Sequence, residues 1–311
     1  MESACYPFPL YFSKFDFSSS VHILNSYVTT PSPPRVDLTL CCCCRAACYH
    51  TVRRSQPYST TMGSKHLAYT VRRDSYMVAA NKKLTCIRFI LNYKRLLYRT
   101  VWVEFPDVEA TLRSIKAQPT SMRSDGRPVY TLPVVVDPLR NPANPVVVSN
   151  PNEIAEYLES AYPARPVFPE GSRALQTLFV HFIQEVFSKP LLPIMVPLSH
   201  HQLPDRSQVH FRGGAPVPPQ LLAAGPQREQ AWLAVKEQFD FLARILEKNC
   251  LDGDGVVVMG HDVTYADFAL CSVLIWIERM AAHDGWTRVR TWNNGRWNRL
   301  WERCKEYMDE Y

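Results

Sequence analysis

The sequence contains no run of about 18 apolar residues, the length a helix needs to cross a bilayer, so no membrane span is expected. It has no dense basic stripe either. Its net charge of +6 is unevenly placed: residues 1–74 hold eight Lys/Arg against four Asp/Glu, and the rest hold 27 against 25. The globular part is nearly neutral, which argues against a nucleic-acid partner. Metal-ligand spacing is also missing. Six of the ten cysteines (Cys5, Cys41, Cys42, Cys43, Cys44 and Cys48) crowd the first 48 residues, and Cys86, Cys250, Cys271 and Cys304 are scattered. The scattered four read as reduced packing thiols of a cytoplasmic protein. His181, His200, His201 and His210 supply no ligand set. Adjacent residues on a helix diverge by about 100°, and no acid is suitably spaced, so His200-His201 reads as loop or surface. No metal site is expected.

What is present suits a globular chain long enough for two cores. Seven tryptophans and fifteen tyrosines read mainly as core packing. Residues 1–64 stand apart, being rich in Ser, Thr, Pro, Tyr and Cys, without helical or strand periodicity. They read as disordered or as a non-native extension, with Met62 a second possible start. A transit peptide, and lipid or soft-metal chemistry at Cys41–Cys44, stay open as alternatives.

From about residue 66 the patterns become regular. A strand is predicted over 66–72, a helix over 84–97, a strand over 98–105 and a helix over 108–115 opened by Pro106-Asp107. Residues 121–128 read as a polar turn around Asp125-Gly126. Two β-branched runs, Tyr130–Asp137 and Val146–Ser149, precede an amphipathic helix over 151–161. The order βαβαββα makes a mixed sheet, and its last two strands are antiparallel neighbours. Pro133 begins or interrupts its strand, because it has no N–H to donate. If its peptide bond is cis, Leu132 turns its backbone groups outward as an edge for an extended peptide.

Residues 163–169 read as a linker, and the remainder as helical. Segments are predicted over 174–186, 230–248, 264–280 and 297–307, with a Pro/Gly-rich loop over 205–227. Trp232, Val235, Phe239, Leu242 and Leu246 form one apolar stripe. Thr264–Met280 is apolar nearly all round and reads as the central buried helix. Thr264-Tyr-Ala-Asp267 opens it as a capping box, with Val263 and Phe268 as the flanking staple. Asp267 therefore reads as a cap and not as a catalytic acid.

These motifs in this order resemble the glutathione S-transferase superfamily. They include Thr-Leu-Pro-Val-Val, Ser-Asn-x-x-Glu-Ile-Ala-Glu-Tyr-Leu and Thr-Tyr-Ala-Asp-Phe-Ala-Leu. Leu91-Asn-Tyr-Lys94, Val101–Asp107, Asp125-Gly126 and Trp292–Trp297 are similar to the fungal transferases related to bacterial β-etherases. The resemblance spans roughly 84–311. It implies a thioredoxin-like glutathione-binding domain over 65–164 and a helical C-terminal domain over 170–311. It also implies glutathione as co-substrate, a small apolar electrophile as substrate, and a homodimer. Glutathione is expected to pair with Leu132 beside Pro133, with its γ-glutamyl carboxylate at Asn150 and Pro151.

Two departures stand out. Asn81 falls where the family places a serine near the thiol, and Thr85 is the hydroxyl nearby. Pro151 stands where the family places a serine that gives the carboxylate a hydroxyl and an N–H. The expected function is glutathione-dependent conjugation or ether cleavage, and the alternative is a catalytically impaired binding or scaffold protein.

Overall fold

A computed structural model of the chain describes residues 24–25, 67–70, 82–138, 142–212, 219–251 and 253–308. The first layer runs β1 (Leu24–Asn25), β2 (Leu67–Thr70), α1 (Lys82–Tyr93), β3 (Tyr98–Trp102) and α2 (Val108–Ser114). It continues through β4 (Ser121–Met122), β5 (Pro128–Val129), β6 (Val134–Asp137), β7 (Val146–Ser149) and α3 (Pro151–Ala161). The main sheet has the order β1-β3-β2-β6-β7. The β2–β3 pair is parallel, while β2–β6 and β6–β7 are antiparallel. This is the mixed βαβαββα sheet that the patterns anticipated, a thioredoxin-like layer. Leu24–Asn25 adds antiparallel to β3, and the expectation for the remainder of 1–64 lies outside the described residues.

Several elements depart from their sequence reading. Strand β3 stops at Trp102, because Pro106 directs Phe105–Asp107 into a 3-10 turn ahead of α2. The polar turn at 121–128 widens into the β4–β5 hairpin. Gly126 there takes a φ of 80°, a left-handed conformation that glycine adopts at little cost. Helix α1 is buried nearly all round from Thr85 to Lys94. It is sandwiched between α3 and the second domain, where the rings of Phe89 and Phe268 stack with centroids 5.3 Å apart.

The second domain comprises α4 (Arg173–Phe182), α5 (Leu192–His201), α6 (Asp205–Arg212), α7 (Pro226–Leu246), α8 (Tyr265–Met280), α9 (Thr287–Val289) and α10 (Trp292–Cys304). The predicted stripe of α7 is buried throughout, and α8 is enclosed almost completely. The segment from Asp205 corrects the loop reading, since it begins with a helix. Helix α6 docks onto the 3-10 turn of the first domain. Phe211 meets Phe105 edge-on at 6.0 Å, and Arg206 grips Asp107 with two hydrogen bonds of 2.6 and 2.7 Å. That docking also corrects the reading of His200. Its side chain is buried beneath α6, against the ring of Phe211 at 5.9 Å, and burial lowers its pKa. Among the described residues, no group of His, Cys, Asp or Glu could hold a metal ion, and no helix is long and apolar enough to cross a membrane.

The stretch Trp292–Trp297 is a kink. Asn293, Asn294 and Gly295 all have positive φ (51°, 56° and 72°), a conformation that Asn and Gly tolerate best. Asn293 accepts from the Trp297 indole at 2.7 Å and donates to Asp240 at 2.9 Å, which ties the kink to α7.

Between the domains, residues 163–169 are more than a linker. Val167 and Phe168 are buried, and their amides donate to the Glu159 carboxylate at 3.1 and 3.2 Å. Lys94, at the end of α1, reaches the same carboxylate at 2.6 Å and the carbonyls of Tyr162 and Arg165 at 2.9 and 3.2 Å.

Candidate functional site

The Leu132-Pro133 peptide bond is cis. Strand β6 starts directly after it, so Pro133 leaves the ladder complete from Val134 onward. Among the described residues, the backbone N–H and C=O of Leu132 have no hydrogen-bond partner. The approach to this edge is held by Thr131, whose hydroxyl pairs with that of Thr120 at 2.7 Å. The register Val134↔Ser149 places Leu132 at the same end of the sheet as Asn150, where α3 begins.

Asn150 occupies φ 73°, ψ 124°, which is unusual for a residue with a side chain, and strain of this kind tends to gather at functional sites. Its Oδ1 accepts from the Asn152 amide at 3.0 Å, and its carbonyl accepts from Ile154 at 2.9 Å. Pro151 is buried as the first residue of α3, a position where its lack of an N–H costs the helix nothing. Asn152 carries a contact that the sequence reading missed. Its Oδ1 accepts from the Tyr265 hydroxyl at 2.5 Å, bridging the start of α3 to the start of α8. Nothing local marks this pair, since 113 residues separate its members.

Of the two residues expected near a thiol, Asn81 lies outside the described residues. Thr85 is buried in the first turn of α1. Its neighbour Cys86 is also enclosed, and burial pushes its thiol well above the usual range, so it stays protonated and is no nucleophile. Cys86, Pro151, Ile183, Tyr265, Ala269 and Ser272 line a narrow cavity between the domains. Its free volume of about 10 Å³ holds roughly one water molecule. The structure thus brings Leu132, Pro133, Asn150 and Pro151 together at one sheet end, close to the interdomain seam. Leu132 is itself buried, so its unpaired backbone groups lie enclosed at the sheet end, and the Asn150 side chain caps the neighbouring helix.

A cis-proline edge on a thioredoxin-like sheet, followed by a helical domain with a capped central helix, defines a two-domain thioredoxin-like protein. The family model described as glutathione S-transferase, C-terminal domain, matches residues 174–307. Glutathione transferase GSTFuA3 from Phanerochaete chrysosporium is 34% identical, with a TM-score of 0.66 over 74% of this chain and 90% of that one. The glutathione S-transferase CsGST63524 of Ceriporiopsis subvermispora, whose structure is a complex with glutathione, is 31% identical. Its TM-score is 0.67, over 74% of this chain and 92% of its own. The glutathione S-transferase-like protein ustS of Aspergillus flavus is 25% identical over 238 residues, which are 72% of this chain and 83% of that protein. The chain belongs to the glutathione S-transferase superfamily.

Proposed function

We propose that the protein is a glutathione-dependent transferase acting on a small apolar electrophile, by conjugation or ether cleavage. The observation that carries this reading is the Leu132 backbone, without a partner among the described residues, beside cis-Pro133, in a chain whose 31%-identical relative is solved in complex with glutathione. The peptide backbone of glutathione pairs with that edge, as an added strand would. Its thiolate attacks the electrophilic carbon, forming a C–S bond, while the leaving halide or alkoxide departs with the bonding pair. An alkoxide then takes up a proton. Asn81 and Thr85 are proposed as the hydrogen-bond donors that hold the thiolate, which lowers the thiol pKa. The proposed domain limits remain 65–164 and 170–311. Free thiols at Cys86, Cys250, Cys271 and Cys304 support a reducing, cytoplasmic setting.

Calorimetric titration with glutathione, together with a conjugation assay on a chloronitroarene, tests the reading. Saturable binding with chloride release is expected. No binding at millimolar glutathione, with no conjugate formed, would refute it.

The same reading includes a homodimer, and the outer face of α4 and α7 supports one. Leu175 and Leu178 are 65% and 64% exposed, and the ring of Phe182 lies 6.1 Å from that of the half-exposed Phe241. Glu237 and Arg244 flank Phe241 on the exposed side of α7, so a two-fold axis at Phe241 sets opposite charges across the two copies. Introducing a like charge into such an apolar face is disruptive. Leu178→Glu with Phe241→Glu is expected to give a monomer by sedimentation velocity. A wild-type chain that already sediments as a monomer would remove the dimer from the proposal.

A further inference from the structure

We infer that helix α6 is a pH-released strap. It ties the second domain to the sheet end bearing Pro133 at neutral pH and detaches in mild acid, with His200 as the sensing group.

The placement follows from the strand register. Thr70 pairs with Trp102 and Ala68 with Val135, so the end of β3 and the start of β6 lie at one end of the sheet. The Phe105–Asp107 turn leaves the sheet there, and α6 docks on it through Phe211 and Arg206. The hold is slight. A helix of eight residues is not stable on its own. Val209 is 60% exposed, and the Arg206–Asp107 pair lies in solvent, where screening leaves an ion pair little net strength. A segment with so few buried contacts opens before the rest of the fold.

Beneath α6 lies a buried polar corner. His200 and Ser207 are enclosed, and neither ring nitrogen of His200 nor the Ser207 hydroxyl has a hydrogen-bond partner among the described residues. The buried Oε1 of Gln202 is left in the same way. A neutral imidazole occupies such a place at a cost, whereas an imidazolium has two N–H donors and a charge to satisfy. The charges that act on His200 oppose it. Burial lowers its pKa, His201 and Arg212 lower it further, and the Gln208 backbone opposes the shift without giving the ring a hydrogen bond of normal geometry. On the outer side of α6, His210 is also shifted down, by burial and by Arg206 and Arg123 against Asp107. Asp205 lies exposed in the first turn of α6, and Arg206 holds both Glu104 and Asp107 of the facing turn. On the other helices packed against α5, Glu278 faces Arg279 on α8, while Arg228, Glu229 and Lys236 of α7 pair with Asp284, Arg288 and Asp240.

A histidine whose pKa is lowered by docking favours the docked state above its ordinary pKa, and that contribution is lost as the pH falls below it. For one group that stays neutral while docked, the equilibrium moves toward release by about tenfold between pH 7.5 and pH 5.5.

Hydrogen exchange of the full chain, read by mass spectrometry and corrected for the intrinsic pH dependence of exchange, is the test. From pH 7.5 to pH 5.5 the protection of the α6 peptide is expected to fall by about tenfold, while that of the α8 peptide holds. Equal α6 protection at both pH values, or a parallel loss in α8 that marks general unfolding, would overturn the inference. His200→Leu removes the sensing group and is expected to abolish the α6 response, and a response that survives in a folded variant also overturns it. Should the leucine variant fail to fold, the ring signals of histidine-labelled wild-type protein decide by NMR. Protonation of His200 that coincides with the loss of α6 protection supports the strap, and protonation while α6 stays protected refutes it.

Discussion

Asp267→Ala is expected to destabilise the protein by about 4 kcal/mol, measured by urea unfolding at pH 7. The residue is fully enclosed, and one carboxylate serves three donors. Oδ2 accepts from the amide of Thr264 at 2.9 Å and its hydroxyl at 2.8 Å, and Oδ1 accepts from the Val258 amide at 2.8 Å. Alanine leaves all three without that partner, the two of Thr264 buried, at the start of the central helix. A loss below about 1 kcal/mol would mean that water or a neighbour satisfies them.

The same residue gives a pH signature. Burial raises the Asp267 pKa from 3.8 to about 6, and the hydrogen bonds from Thr264 and Val258 oppose that rise without cancelling it. A raised carboxyl binds its proton more tightly in the folded state. Its contribution to stability is therefore complete below the unfolded pKa and is lost as the pH rises through 6. Asp267→Asn removes the titration. The stability of the wild type relative to this variant is expected to fall by about 1.4 kcal/mol between pH 5 and pH 7. A difference independent of pH would place the Asp267 pKa near its ordinary value.

Lys94→Met is expected to cost about 3–5 kcal/mol, the usual consequence of leaving one member of a buried ion pair alone. The Lys94 side chain is fully enclosed, and that of Glu159 is 6% exposed. Burial lowers the Lys94 pKa, and Glu159 opposes the shift at 2.6 Å. Removing the ammonium strands a carboxylate that also organises Val167 and Phe168, so the seam between the domains weakens as well. Adding Glu159→Gln to Lys94→Met is expected to recover about 1–2 kcal/mol, because the amide still accepts a hydrogen bond and no buried charge is left. Simple additivity in this double-mutant cycle would show the pair to be uncoupled.

These two residues show how unevenly the sequence discloses the structure. Asp267 was legible because a capping box is local: a hydroxyl and an acid three residues apart, before an apolar run, have one economical arrangement. The α7 stripe and the enclosed α8 were legible for the same reason, as their periodicity follows from the helix geometry alone. Lys94 was not legible as a seam residue. It sits at a helical interval among apolar residues, and its carboxylate partner lies 65 residues away. Helix α6 was hidden by the glycines and prolines that follow it, and what holds it is the contact of Phe211 and Arg206 with Phe105 and Asp107 of the other domain. His200 became a buried group for that reason alone.

By itself, the sequence determined the order of strands and helices, the thioredoxin-like layer with its helical partner, and the family. Each of these rests on short-range patterns that repeat at the strand or helix period. It also marked Leu132, Pro133, Asn150 and Pro151, since a proline in a β-branched run and a polar helix start are local features. Only the tertiary structure decided how those positions are used. It set Leu132 and Asn150 at one end of the sheet through the β6–β7 register, and it turned the Asn150 side chain onto the helix it precedes. Tyr265 then closed over Asn152 from the other domain, because packing two domains on α1 brings groups together that no sequence spacing relates.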